Sequence, residues 1–147
     1  MNRIQRVLPA VVGLALAVCG NLGSLELAFR IIGIEPDRGG TINVGLYDSE
    51  DGFPETGFEV AGLILPVDGD TAEGAFTDLP RGNYVLAVLH DEDGDNVMRS
   101  RGSFGMPDEG YGFSNTDKAR LRPPKFDKAA VELSTANRSV DVLLRYP

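Results

Sequence analysis

Cysteine is almost missing from this chain: Cys19 is the only one in 147 residues, so no internal disulfide can form and packing alone must hold the fold. Histidine is equally scarce, and any acid–base chemistry would rest on His90 by itself. Basic residues are outnumbered, with 14 Lys and Arg against 22 Asp and Glu. Nucleic acid is therefore an improbable partner, because binding it normally takes a basic face. Only one long apolar run exists, Val7 to Val18. It falls short of the roughly 20 residues that cross a bilayer. Beyond it there is no sustained 3.6-residue periodicity, internal repeat, low-complexity tract or linker.

What the first segment does have is order: Arg3 and Arg6, then the uncharged run, then the small residues Ala15, Ala17 and Gly20. This is the layout of a secretory signal. It predicts a periplasmic or extracellular protein, with residues 1–20 as the signal, a cut between about Val18 and Leu25, and residues 21–147 as one domain. A buried N-terminal helix fits less well, since Pro9 and uniformly apolar faces leave no polar side. Leu16-Ala17-Val18-Cys19 partly resembles a lipobox, but Val18 stands where a small residue belongs, so a lipid anchor at Cys19 is the lesser alternative. Losing residues 1–20 removes two basic residues and no acidic one, leaving 12 against 22 and a net charge of −10. No transmembrane span is expected in the mature chain.

The remainder, rich in turn formers with 18 Gly and 9 Pro, reads as short strands. Leu25 to Ile31 alternates apolar with polar, Pro36 to Gly40 supplies turn chemistry that predicts a hairpin return, and Thr41 to Tyr47 alternates again. Phe58 to Val67 is a third run and ends at the hairpin signal Asp68-Gly69-Asp70. Thr71 to Leu79 and Tyr84 to His90 follow. The latter is apolar on both faces and so predicted central. Ala129 to Leu133 and Val140 to Tyr146 complete about seven strands, which predicts an all-β, antiparallel β-sandwich, with a barrel as the alternative. Asp91 to Lys128 is too long for an ordinary connection and carries Phe104, Met106, Tyr111, Phe113, Leu121 and Phe126. It is expected to fold over the sandwich as one long ordered loop.

Three motifs in and before this segment stand out: Leu79-Pro80-Arg81-Gly82-Asn83-Tyr84, His90-Asp91-Glu92-Asp93-Gly94-Asp95-Asn96, and Gly105-Met106-Pro107-Asp108-Glu109-Gly110-Tyr111-Gly112-Phe113-Ser114-Asn115. With Gly45 to Pro54 and Arg122 to Phe126 they resemble an exported bacterial family known as domain of unknown function 2141, over about residues 25–146. The resemblance implies a small β-sandwich similar to immunoglobulin-like or transthyretin-like domains, and it brings no established activity with it. Val97-Met98-Arg99 departs from it, standing where the family usually has Lys, an apolar residue and Asp.

Asp91, Asp93 and Asp95 alternate as the oxygen ligands of a calcium loop do, although Asn96 stands where such a loop wants Gly, and Gly102 where it wants a bidentate Glu. The competing reading is a solvated turn whose carboxylates cap backbone N–H groups. Calcium is the one cofactor this pattern admits, and otherwise none is expected. His90, at a strand end, reads as structural, because Asp91 beside it points to the opposite face and cannot orient the ring. Ser114 lacks the setting of a nucleophile elbow. A hydrolase centred on His90 thus has no named partner. Tyr111 and Phe113 read as aromatic anchors, or, with His90, as a ligand surface able to stack on sugars. Lys118, Arg120, Arg122, Lys125 and Lys128 read as neutralising the acidic loop. The favoured function is a non-enzymatic binding or structural module of the cell envelope, whose partner is an envelope protein or a carbohydrate. The alternative is a calcium-dependent binding module.

Overall fold

A computed structural model describes residues 23–97, 100–101, 106–116 and 122–147. The signal expected over residues 1–20, Cys19 included, lies outside the described residues. Strand β1 (Leu25–Ile32) buries Leu25, Leu27, Phe29 and Ile31 and turns Glu26 and Arg30 to water, the alternation of a half-buried strand. Ile42, Val44 and Leu46 do the same in β2 (Thr41–Tyr47). The chain continues through β3 (Ala61–Pro66), β4 (Thr71–Leu79), β5 (Gly82–Asp91), β6 (Ser100–Arg101), β7 (Met106–Pro107), β8 (Gly110–Phe113), β9 (Val131–Leu133) and β10 (Ser139–Leu143). A 3-10 turn, Pro36–Arg38, and a one-turn helix α1, Phe126–Ala129, interrupt the strands.

Two open sheets form the expected sandwich. One has the order β10-β1-β4 and the other β3-β2-β5-β8, with β9 also on β5. Neither closes into a barrel. One ladder departs from the antiparallel expectation: β1 runs parallel to β10, from Ala28 opposite Ser139 to Ile32 opposite Leu143. A parallel pair needs a long crossover, and here the whole intervening chain is that crossover.

The turns lead elsewhere than the sequence suggests. Pro36 to Gly40 and Asp68-Gly69-Asp70 predict hairpins, yet β1 pairs with β4 and β10 while β2 pairs with β3 and β5. Each of these turns carries the chain from one sheet to the other, and so does the turn from β4 to β5. The physical reason is that turn residues set a reversal, while the apolar faces set its partner. Facing strands across a core bury their inner rows against each other.

The core between the sheets draws on Phe29, Ile31, Ile42, Leu46, Leu86 and Val142. Full burial of each such side chain stabilises by about 1.5–3 kcal/mol. β5 is central, with Tyr84, Leu86, Val88 and His90 on the inner face and Val85 closed off on the outer one. That outer closure is a second apolar cluster, Tyr47, Val85, Phe113 and Ala129, with Phe53 and Phe126 packed on it. Phe53 is its hub, edge-on to Tyr47 at 5.2 Å and to Phe113 and Phe126 at 5.8 Å. The segment after β5 is therefore more than a loop, because it contributes β8, paired with β5 from Ala87–Phe113 to His90–Gly110. The third apolar run is shorter than read: β3 begins at Ala61 on the sheet edge and leaves Phe58 and Val60 outside it, 57% and 51% exposed.

Candidate functional site

The end of β5 holds the acidic loop, and Asp91 shapes it. Its side chain is buried and accepts at both oxygens: Oδ1 from the N–H groups of Gly94 (2.7 Å) and Asp95 (3.2 Å), Oδ2 from Asn96 N–H (2.9 Å) and Asn43 Nδ2 (3.2 Å). Four donors fill about the four lone-pair sites of a carboxylate. Asp93 Oδ1 accepts from Asp95 N–H, and Asp95 Oδ1 from Val97 N–H. The alternate aspartates are thus a ladder of side-chain turns, the capping role weighed against calcium, and the ladder brings them together. One oxygen from each of Asp91, Asp93 and Asp95 lies within 4.8 Å of the others.

A carboxylate from outside the aspartate ladder packs against the loop backbone. Glu109, in the turn between β7 and β8, is only 6% exposed. Its Oε1 accepts from the N–H of Glu92 at 3.1 Å, the residue between Asp91 and Asp93, and its Oε2 is buried with no hydrogen-bond partner among the described residues. Burial pushes the Glu109 carboxyl above the ordinary carboxylate range, outweighing the hydrogen bond from Glu92, and the charges of Asp93, Asp91 and Asp95 push it the same way. Glu109 lies outside the alternating aspartates, in the motif Gly105 to Asn115, where Pro107-Asp108 before it and Gly110 after it mark a turn.

His90, on the inner face, is fully buried and committed. Gly39 O can only accept, so Nε2 carries the proton and donates to it at 2.6 Å. The Tyr146 hydroxyl accepts from Glu35 N–H at 2.9 Å and donates to Nδ1 at 2.6 Å. Arg38 stacks 4.6 Å over the Tyr146 ring and pairs with Glu35 and, at 3.1 Å, with Glu92. Two glycines permit this closeness: the Tyr146 ring occupies the place of a Gly110 side chain, and Gly40, at φ 72°, lies against the Asp91 carbonyl. Arg38 meets the loop at Glu92; of the basic cluster, Arg122 and Lys125 are exposed, Lys128 pairs with Asp127 at 3.6 Å, and Lys118 and Arg120 lie outside the described residues.

The expected ligand surface of His90, Tyr111 and Phe113 is not one surface. Tyr111 and Phe113 stand opposite Leu89 and Ala87 on the outer face, whereas His90 faces inward, because successive residues of a strand alternate sides. Phe113 is buried in the second cluster. Ser114 is buried too; its Oγ accepts from Leu86 N–H at 3.0 Å and donates to Ala129 O at 2.7 Å, closing the junction where β5 passes from β8 to β9.

The open feature of the outer face is a groove of about 320 Å³. Its floor is the cross-strand row Gly62–Gly45–Ala87, three of the smallest residues side by side. Tyr47, Pro54 and Glu59 bound it at one end, Asn43 and Asn96 at the other. Asn43 Nδ2 also donates to Asn96 Oδ1 at 2.9 Å, so the acidic loop and the groove share a wall.

These features define a β-sandwich with an acidic loop at one end of its larger sheet and a shallow groove beside it. The chain belongs to the family described as uncharacterized protein conserved in bacteria, domain of unknown function 2141, whose model matches residues 30–141. No curated protein and no solved structure matches it. Among the described residues, no helix is long and apolar enough to cross a membrane.

Proposed function

We propose that this is an exported, non-enzymatic binding module of the bacterial cell envelope, and that its binding face is the groove floored by Gly62, Gly45 and Ala87. The groove itself is the observation that carries the reading: the second cluster covers the outer face around Val85 and Phe113, and beside it the face is concave. The candidate catalytic groups support it from the other side, since both nitrogens of His90 and the hydroxyl of Ser114 are spent on the fold. The lining argues for an uncharged ligand: Glu59 is its one charged residue, and a mature domain of net charge −10 repels anions. A flat apolar floor between amide and carboxylate ends suits a ligand with one C–H face and hydroxyl edges, which is the chemistry of a neutral sugar chain.

Titration with neutral oligosaccharides, chito- and cello-oligomers as probes, followed by two-dimensional NMR, tests this. Shifts are expected at Gly45, Gly62 and Ala87. Gly62→Val, whose new side chain has room at 3.6 Å from the Val44 carbonyl, abolishes them without unfolding the domain. Absence of binding, or equal binding by Gly62→Val, overturns the reading. Mass spectrometry of the exported protein tests the address, the expected outcome being a mature N-terminus between Val18 and Leu25.

A further inference from the structure

We infer that the groove, taken as the sugar-binding face proposed for it, selects N-acetylated sugars, and that Asn96 makes the selection through its side-chain amide. Asn43 and Asn96 line the same end of the groove. Asn43 Nδ2 donates to Asn96 Oδ1 at 2.9 Å. Asn96 therefore turns its oxygen to Asn43, and its Nδ2 has no partner among the described residues.

A buried carboxylate fixes which way both amides point. Asp91 Oδ2 accepts and does not donate, so its 3.2 Å contact with Asn43 must be to the amide nitrogen. The second hydrogen of that nitrogen goes to Asn96, which has to answer with its oxygen. The Thr41 hydroxyl donates to the Asn43 oxygen at 2.9 Å, and Asp91 Oδ2 also holds the backbone N–H of Asn96 at 2.9 Å. Asn96 stands at φ 59°, a conformation easiest for glycine and tolerated by asparagine. Glycine would relieve the backbone there but would leave this end of the groove without the donor.

The surroundings of the donor select the ligand group. Both hydrogens of Asn43 Nδ2 are spent on Asp91 and Asn96, so the unspent amide hydrogens at this end belong to Asn96. A carbonyl placed against them leaves nothing unpaired, whereas a hydroxyl brings a hydrogen of its own that needs a further acceptor. Apolar carbon stands alongside. Across the strands Asn43 lies between Ile64, 64% exposed, and Leu89, and both side chains line the groove. Among the substituents of neutral sugars, the acetamido group joins a carbonyl to a methyl, and that pair fits a donor set among apolar side chains. The adjacent row Gly62–Gly45–Ala87 is then the floor on which the ring lies.

Calorimetry on the purified protein with two tetrasaccharides tests this. Fully acetylated chitotetraose and cellotetraose share one backbone and differ on each ring by an acetamido against a hydroxyl. Wild type is expected to bind the acetylated oligomer about tenfold more tightly, the scale of one added hydrogen bond. Two variants remove the donor in different ways: Asn96→Gly suits the backbone, and Asn96→Asp keeps an oxygen for Asn43. Both are expected to bring the two affinities to within about twofold while cellotetraose binding is retained. A merely structural Asn96 would weaken both oligomers alike and leave their ratio unchanged. Equal binding of the two by wild type, with shifts at Gly45, Gly62 and Ala87, overturns the selectivity and leaves the groove a sugar site. Binding of neither overturns the groove as a sugar site and the selectivity with it. A preference that survives in both variants removes Asn96 from the selection.

Discussion

The two faces of the larger sheet are built to different standards. On the inner face Ile42, Leu46, Leu86 and His90 are wholly buried, and the one polar group among them has both nitrogens satisfied. On the outer face an aromatic cluster covers one part and a groove opens beside it, and in the turn before β8 lies a buried carboxylate oxygen without a partner among the described residues. The difference separates what makes the fold from what is left for function. Residues on the inner face have no unspent chemistry, whereas the outer face and its adjoining loop keep both space and charge.

The largest expected effect is on the inner face. His90→Ala opens a cavity and orphans both the Tyr146 hydroxyl and the Gly39 carbonyl, and should destabilise by about 3–4 kcal/mol. Urea unfolding would read this as a lower midpoint at unchanged slope. A loss below about 1 kcal/mol would mean that the inner face is no stricter than the outer one. Next comes Phe53→Ala, which removes the hub of the outer cluster but lies nearer to water; about 2–3 kcal/mol is expected, together with altered NMR shifts at Tyr47 and Phe113.

Tyr47, between cluster and groove, provides a pH test. Burial pushes its hydroxyl up to about 12, with the charge of Glu59 adding to the effect. A raised pKa means that the fold favours the neutral phenol. The stabilisation is therefore complete below about pH 10 and is lost as pH rises through 10 to about 12, by roughly 2 kcal/mol. Unfolding measured across that window should show a smaller loss in Tyr47→Phe than in wild type, the remainder coming from Tyr84 and Tyr146, whose hydroxyls burial also pushes up. The smallest effect belongs to the groove floor, where Gly62→Val should change stability by no more than about 0.5 kcal/mol in either direction. A large loss there would show the floor to be part of the packing rather than a vacant surface.

Much of the fold was legible in short-range pattern. The odd-numbered residues of Leu25 to Ile31, the even-numbered ones of Ile42 to Leu46, and the two-faced burial of Tyr84 to His90 all follow from side chains alternating across a strand. The separation of His90 from Asp91 follows from the same rule. The hairpins did not follow. Pro36 to Gly40 and Asp68 to Asp70 reverse the chain as their residues demand, but the reversal crosses between layers, a choice that depends on strands far away in sequence. In the site, the alternating aspartates were visible because their ligand geometry is local. Glu109 was not, because nothing local distinguishes a turn glutamate in water from one folded against Glu92.

The sequence by itself determined which segments are strands, which side of each is apolar, and that Asp91, Asp93 and Asp95 share one turn, since all of these depend on neighbours within a few residues. Only the tertiary structure decided that β1 lies parallel to β10, that three small residues from three strands line up as a groove floor, and that the Glu109 carboxyl comes to rest buried against the backbone of Glu92. Those outcomes belong to pairs distant along the chain. They are set by how the apolar faces of two sheets bury each other, which no single segment specifies.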